Sequence, residues 1–130
     1  MIILTLRTDK PVAEIGIFEN SNKLSCITWE AHRKLAETLH ISVRNLLKQQ
    51  NMKWEDIDGI VIYEGPGSFT GLRIGFSVAN ALAYSNNVQI TSSGGEEWIN
   101  QGIARILDGK GQKSAVPDYG MPAHITQQKK

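Results

Sequence analysis

The chain of 130 residues has one cysteine, Cys26, which excludes an internal disulfide and fits a reducing compartment. Its histidines, His32, His40 and His124, are scattered, and no H-E-x-x-H is present, so the ligand cluster of a metalloprotease is missing. Neither charge sign dominates: 14 basic side chains face 13 acidic ones for a net charge of +1. A protein that grips nucleic acid by bulk electrostatics needs a clustered basic face instead. No apolar run approaches the ~20 residues that span a bilayer. No basic region precedes the opening Met1–Arg7 stretch and no small-residue cleavage site follows it, so it reads as a strand rather than a leader. Aromatic residues are few, and Trp29, Trp54 and Trp98 stand apart, which suits core or edge packing better than base-stacking platforms. The expectation is a soluble, cytoplasmic domain with one core.

Hydrophobic periodicity then orders the chain. Ile2–Thr8, Val12–Glu19 and Lys23–Trp29 read as three strands joined by short polar turns, which makes them antiparallel neighbours. Ala31–Gln50 reads as a helix, with His32, Leu35, Ala36, Leu39, Val43, Leu46 and Leu47 on one stripe. Ile41 projects away from that stripe, either as a lone exposed isoleucine or as a partner contact. Gly59–Tyr63 is a continuous apolar run, the mark of a central strand covered on both faces. A helix at Phe69–Ser85, a strand at Val88–Thr91 and a helix at Glu96–Leu107 follow. Cys26, mid-strand with no histidine near it in sequence, is expected to be a buried structural residue. The order βββαβαβα indicates an α/β layer fold with a mixed sheet. Residues 1–108 form the expected lobe, and residues 109–130 read as a flexible tail.

The distinctive segment is Glu64–Phe76. Gly65, Pro66 and Gly67 make a sharp turn from strand to helix, and Ser68 sits where an N-cap belongs. Such a helix start could cradle an anion. The glycines are spaced G-x-G-x-x-x-G, however, and no Lys-Ser/Thr pair of a P-loop follows. In the helix, Gly71, Gly75, Ala79 and Ala83 recur every fourth residue as a groove of small side chains, with Ile74, Val78, Ala81 and Leu82 on a different face. A helix so apolar needs two neighbours, the sheet and something else. That second neighbour is either the first helix of this chain or another subunit. Each helical glycine costs ~1 kcal/mol relative to alanine, so close packing is the expected compensation.

The string Gly65-Pro-Gly-Ser-Phe-Thr-Gly-Leu-Arg-Ile-Gly75 resembles the hallmark of the TsaB/YeaZ family, and the resemblance extends over roughly residues 2–107. It implies an RNase H-like lobe of the actin-like ATPase superfamily. It further implies a non-catalytic subunit that binds a TsaD-type catalytic subunit, the enzyme that places threonylcarbamoyl on a tRNA adenosine. A TsaE-type ATPase commonly joins that assembly, and self-association as a homodimer through the same face is a further possibility. In the family the two long helices of this lobe form the partner face. The interface set expected here is Ile41, Gly71, Leu72, Gly75, Phe76, Ala79 and Ala83, beside the motif turn Gly65, Pro66, Gly67 and Ser68. Two departures bear on chemistry. Family members usually have two lobes, whereas a single lobe is expected here. Arg7 stands where the first strand usually carries an acidic residue, and it should repel magnesium. A nuclease of this fold would need a carboxylate there. No cofactor, metal or catalytic residue is therefore expected. The alternative is a small nucleotide- or anion-binding enzyme that uses the Gly65–Ser68 turn, with tRNA reached only through the complex in the first reading.

Overall fold

The structure, a computed structural model, describes residues 1–120. Strands β1 (Ile2–Arg7), β2 (Val12–Glu19) and β3 (Asn22–Glu30) lead into helix α1 (Leu35–Gln49). Strand β4 (Gly59–Tyr63), helix α2 (Phe69–Asn86), strand β5 (Gln89–Ser93) and helix α3 (Trp98–Leu107) complete the order βββαβαβα. The sheet runs β3-β2-β1-β4-β5. β1 is antiparallel to β2, and β2 to β3, while β1, β4 and β5 are parallel. This is the mixed sheet expected from the sequence. Among the described residues, no helix is long and apolar enough to cross a membrane.

Strand alternation sorts the core into two layers. Leu4, Leu6, Ala13, Ile15, Ile17, Ile60 and Ile62 face α1 and α2. Ile3, Phe18 and Val61 face Trp98, Ile103 and Ile106 of α3. β4 is therefore buried on both sides, as its unbroken apolar run implied, each such side chain contributing about 1.5–3 kcal/mol by burial.

Two expectations for the first half of the chain change. The 31–34 stretch is a separate 3-10 turn, His32–Lys34, and α1 begins only at Leu35. The cause is local: the amides of Ala31 and His32 both donate to the Pro11 carbonyl, at 2.9 and 3.3 Å, and His32 takes a left-handed φ of 48°. The helical phase breaks there, so His32 and Ala36 are exposed while Leu35, Leu39, Val43, Leu46 and Leu47 form the buried stripe. Cys26 is exposed rather than buried, because on the α3 side of the sheet the short α3 packs on β4 and β5. Burial of part of its surface, followed by the nearby Glu14 carboxylate, pushes its thiol pKa up.

Helix α2 lies against the end of β1 through its small residues. A Cβ on Gly71 would collide with the Thr8 carbonyl, and one on Gly75 would collide with Thr8 Oγ1. Ala79 and Ala83 continue the same buried line. The stretch that follows α3, expected as part of a tail, is fastened to the body over residues 111–119. Gln112 exchanges two backbone hydrogen bonds of 2.8 Å with Ile90 of β5. Ala115 is 5% exposed. Residues 121–130, the remainder of that expected tail, lie outside the described residues.

Gly75→Leu should fail to give a cooperatively melting protein by circular dichroism. Gly75→Ala should lose about 1–3 kcal/mol through overpacking, less the helix-propensity gain, and more than half of that loss should vanish in a Thr8→Ala background. Equal losses in both backgrounds, read by urea titration, would reject the contact. Because the Cys26 thiol is held protonated, iodoacetamide should modify it more slowly at pH 8 than it modifies free cysteine, despite its exposure.

Candidate functional site

β4 ends at Tyr63, and the chain then turns through Glu64 and a cis Gly65–Pro66 peptide into α2. Gly65 has a φ of 104°, a region closed to side chains, and a Cβ there would also strike the Asp118 carbonyl. Ser68 is the N-cap, its Oγ accepting from the Gly71 amide at 3.2 Å. The Ser68 amide itself donates to the Asp9 carbonyl at 2.8 Å. Gly67 lies against Asp9 Cα and Cβ, with no room for a side chain of its own. The turn is thus a splice between the β1–β2 corner and α2. Two donors that an anion would use are already engaged, Pro66 has none to offer, and an aspartate occupies the approach to Gly67. This geometry weighs against the anion-binding alternative.

Beside the turn, on the α3 side of the sheet, Arg7 replaces the acidic residue expected at the end of β1. Its Nε donates to Asp9 Oδ1 at 2.8 Å and a second nitrogen donates to Oδ2 at 3.2 Å. The guanidinium lies 3.9 Å from the Tyr63 ring centroid, and Tyr63 meets Trp98 edge-on at 5.6 Å. The hydrogen bond to Asp9 raises the Arg7 pKa, with burial opposing it. A fork-to-fork pair under an aromatic face is a strong, fixed arrangement. These residues do not fit a divalent cation. A permanent positive charge stands at the strand end, and both oxygens of the nearest carboxylate are spent on it. Among the described residues, no group of three His, Cys, Asp or Glu side chains is placed to hold a metal ion.

The structure redistributes the expected interface set. Leu72, Phe76, Ala79 and Ala83 are 0, 3, 0 and 1% exposed, and Gly71 and Gly75 are buried with them. All six are consumed inside the chain and cannot form a docking seam. The sheet lies beneath α2, α1 lies on one flank, and residues 111–119 lie along the other, so the surplus apolar surface finds its company internally. Ile41 is 46% exposed and does not join the others. Along the middle of α2 a groove against α1 of about 340 Å³ stays open, bounded by Ala36, Thr70, Arg73, Ile74, Ser77 and Val78. Ile74 and Val78 are only half-buried at its floor. Arg73 and Ser77 belong, with Asn80 and Tyr84, to the polar wedge of α2, which in sequence has the look of an ordinary solvated face, and Thr70 carries no signal of its own. The available signal was that Ile74 and Val78 flank that wedge one turn apart.

Comparison with known proteins identifies this arrangement. A family model described as TsaD, tRNA N6-adenosine threonylcarbamoyltransferase, matches residues 28–92, half of the chain. A threonylcarbamoyltransferase of Listeria monocytogenes is 37% identical over 60 residues, covering 46% of this chain and 17% of the relative. The threonylcarbamoyladenosine biosynthesis protein TsaB of Bacillus subtilis is 41% identical over 51 residues, 39% of this chain and 22% of TsaB. The match thus spans about a fifth of these relatives' lengths. Among solved structures, YeaZ from Pseudomonas aeruginosa superposes with a TM-score of 0.66 at 26% identity, covering 72% of this chain and 43% of YeaZ. The fold is RNase H-like, as the motif implied. With the family model matching residues 28–92 and YeaZ superposing on 72% of the chain, the chain belongs to the threonylcarbamoyltransferase family, in its TsaB/YeaZ branch.

Proposed function

We propose that this protein is a non-catalytic partner subunit that binds a TsaD-type threonylcarbamoyltransferase and so supports threonylcarbamoyladenosine formation in tRNA. One observation carries the reading: the open α1–α2 groove, with half-buried Ile74 and Val78 between the polar shoulders Thr70, Arg73 and Ser77. Apolar atoms left half-wet in a groove gain by being covered, and polar shoulders give the partner its register. The groove lies between the two long helices that the TsaB/YeaZ resemblance gives as the partner face, although its residues are not those the small-residue pattern suggested. The end of β1 points the same way. An Arg7 locked to Asp9 and stacked on Tyr63 offers neither a metal site nor a free base. In this reading the chemistry belongs to the catalytic subunit, a TsaE-type ATPase joins the same assembly, and tRNA is reached only through it. The same groove would also serve a homodimer in the partner's absence.

Ser77 is exposed on the groove's shoulder, so changing it tests docking without touching the core. Ser77→Arg should weaken binding to the TsaD-type subunit at least tenfold by calorimetry while leaving the thermal melt within a degree or so. An unchanged affinity would sink the proposed face. Light scattering of the wild type alone and with the partner would show whether a homodimer gives way to the mixed complex. Arg7→Ala, by contrast, should leave that affinity unchanged. A loss comparable to that of Ser77→Arg would move the interface to the β1 end.

A further inference from the structure

Residues 111–119 are held in an unusual way. Gln112 pairs with Ile90 through two backbone hydrogen bonds, both 2.8 Å. Three residues on, the Asn80 side-chain amide grips Ala115 from both sides, donating to its carbonyl at 2.9 Å and accepting from its amide at 2.8 Å. Three further on, the Asp118 amide donates to the Glu64 carbonyl at 2.7 Å. Tyr119 then stacks on Phe69 of α2 with ring centroids 4.4 Å apart. Every polar anchor goes to the segment's backbone, and its side chains are largely unread. Val116 is 79% exposed, and Gln112, Lys113 and Ser114 point to solvent as well. The exceptions are Ala115, which must be small to lie buried under Asn80, and the aromatic ring four residues later.

We infer that the β5 edge, Asn80, the Glu64 carbonyl and Phe69 form a docking track for an extended peptide, and that residues 111–119 fill it as a displaceable internal occupant. The ligand class follows from the anchors: a peptide in extended conformation, with a small residue at the Asn80 position and an aromatic ring four residues on. Backbone-directed recognition of this kind, with main-chain bonds giving affinity and a few pockets giving selectivity, is the chemistry of strand addition to a sheet edge. A tethered occupant enjoys a millimolar effective concentration, so it keeps the track closed against weak competitors and yields to strong ones. The glycines at both sides of Lys110, with φ of 72° at Gly109, give the tether its turn away from α3. This inference goes beyond the α1–α2 groove and does not rest on it, because the track lies on the opposite flank of α2.

The test uses the full chain and a fluorescent synthetic peptide of residues 110–120. Ala115→Glu places a charge in the buried anchor and should release the segment while leaving the track intact. That variant should bind the peptide saturably by anisotropy, at least tenfold more tightly than the wild type does. Adding Asn80→Leu should weaken that binding at least tenfold. A natively folded Ala115→Glu chain that binds no peptide, or binds equally well with Asn80→Leu, overturns the inference. Should Ala115→Glu fail to fold, amide exchange in the wild type decides. The Gln112, Ala115 and Asp118 amides should exchange together, at least tenfold faster than those of Val61 and Ile62. Exchange at the same rate as Val61 and Ile62 would mean that the segment opens only with the whole protein, and would overturn it.

Discussion

The contact that organises this molecule is made by an absence of side chains. Gly71 and Gly75 let α2 come down onto Thr8 at the end of β1, and Gly67 lets the preceding turn close on Asp9. Each helical glycine costs ~1 kcal/mol of intrinsic helix stability, and the close approach recovers it by bringing Leu72, Phe76 and Ala79 into the core. Everything at the candidate site inherits its position from that approach. The turn is splinted to the β1–β2 corner, Ser68 caps the helix, and the outer face of α2 is set at the height where it forms a groove with α1. A bulky residue such as leucine at Gly75 would lift the helix and dissolve the groove along with the core.

The architecture was largely legible because it is written in side chains. Alternation in β2, an unbroken apolar run in β4 and the 3.6-residue stripe of α1 gave the element order and the mixed sheet. The site was less legible, for a specific reason. A helical pattern reports that α2 needs more than one neighbour, but not which neighbour supplies the surface. The small residues were read as facing outward, and they face the sheet. The flank of α2 near Asn80 is covered by residues 111–119, whose polar composition gives no periodic signal because their anchors are backbone groups. The start of α1 was misplaced because two amides sharing the Pro11 carbonyl form a tertiary contact with no local signature. Cys26 looked like a buried strand residue, and its exposure depends on how far the ten-residue α3 reaches, which no local pattern records.

Arg7 illustrates how a fold can keep its frame while changing what stands at its centre. The strand end where an acidic residue would attract a cation carries a cation of its own, neutralised by Asp9 two residues later and seated on Tyr63. Pairing between neighbours on one short turn needs little further support from the protein. The Trp98 edge against Tyr63 ties the arrangement to α3, so the end of β1 and the helix covering that face of the sheet are joined through one aromatic ring. The cluster belongs to the lobe's scaffold, with both Asp9 oxygens and the Tyr63 face already engaged by Arg7.

The two margins of the sheet are treated differently. At β5 the strap of residues 111–119 engages the outermost strand through Ile90, whereas β3 is the outer strand at the other margin, bonded to β2. Among the described residues, a sheet with one guarded border and one bare border has a built-in polarity for growth. If copies ever joined border to border, the bare sides would meet and the guarded sides would face outward. Such an assembly would stop at two rather than propagate as a fibre.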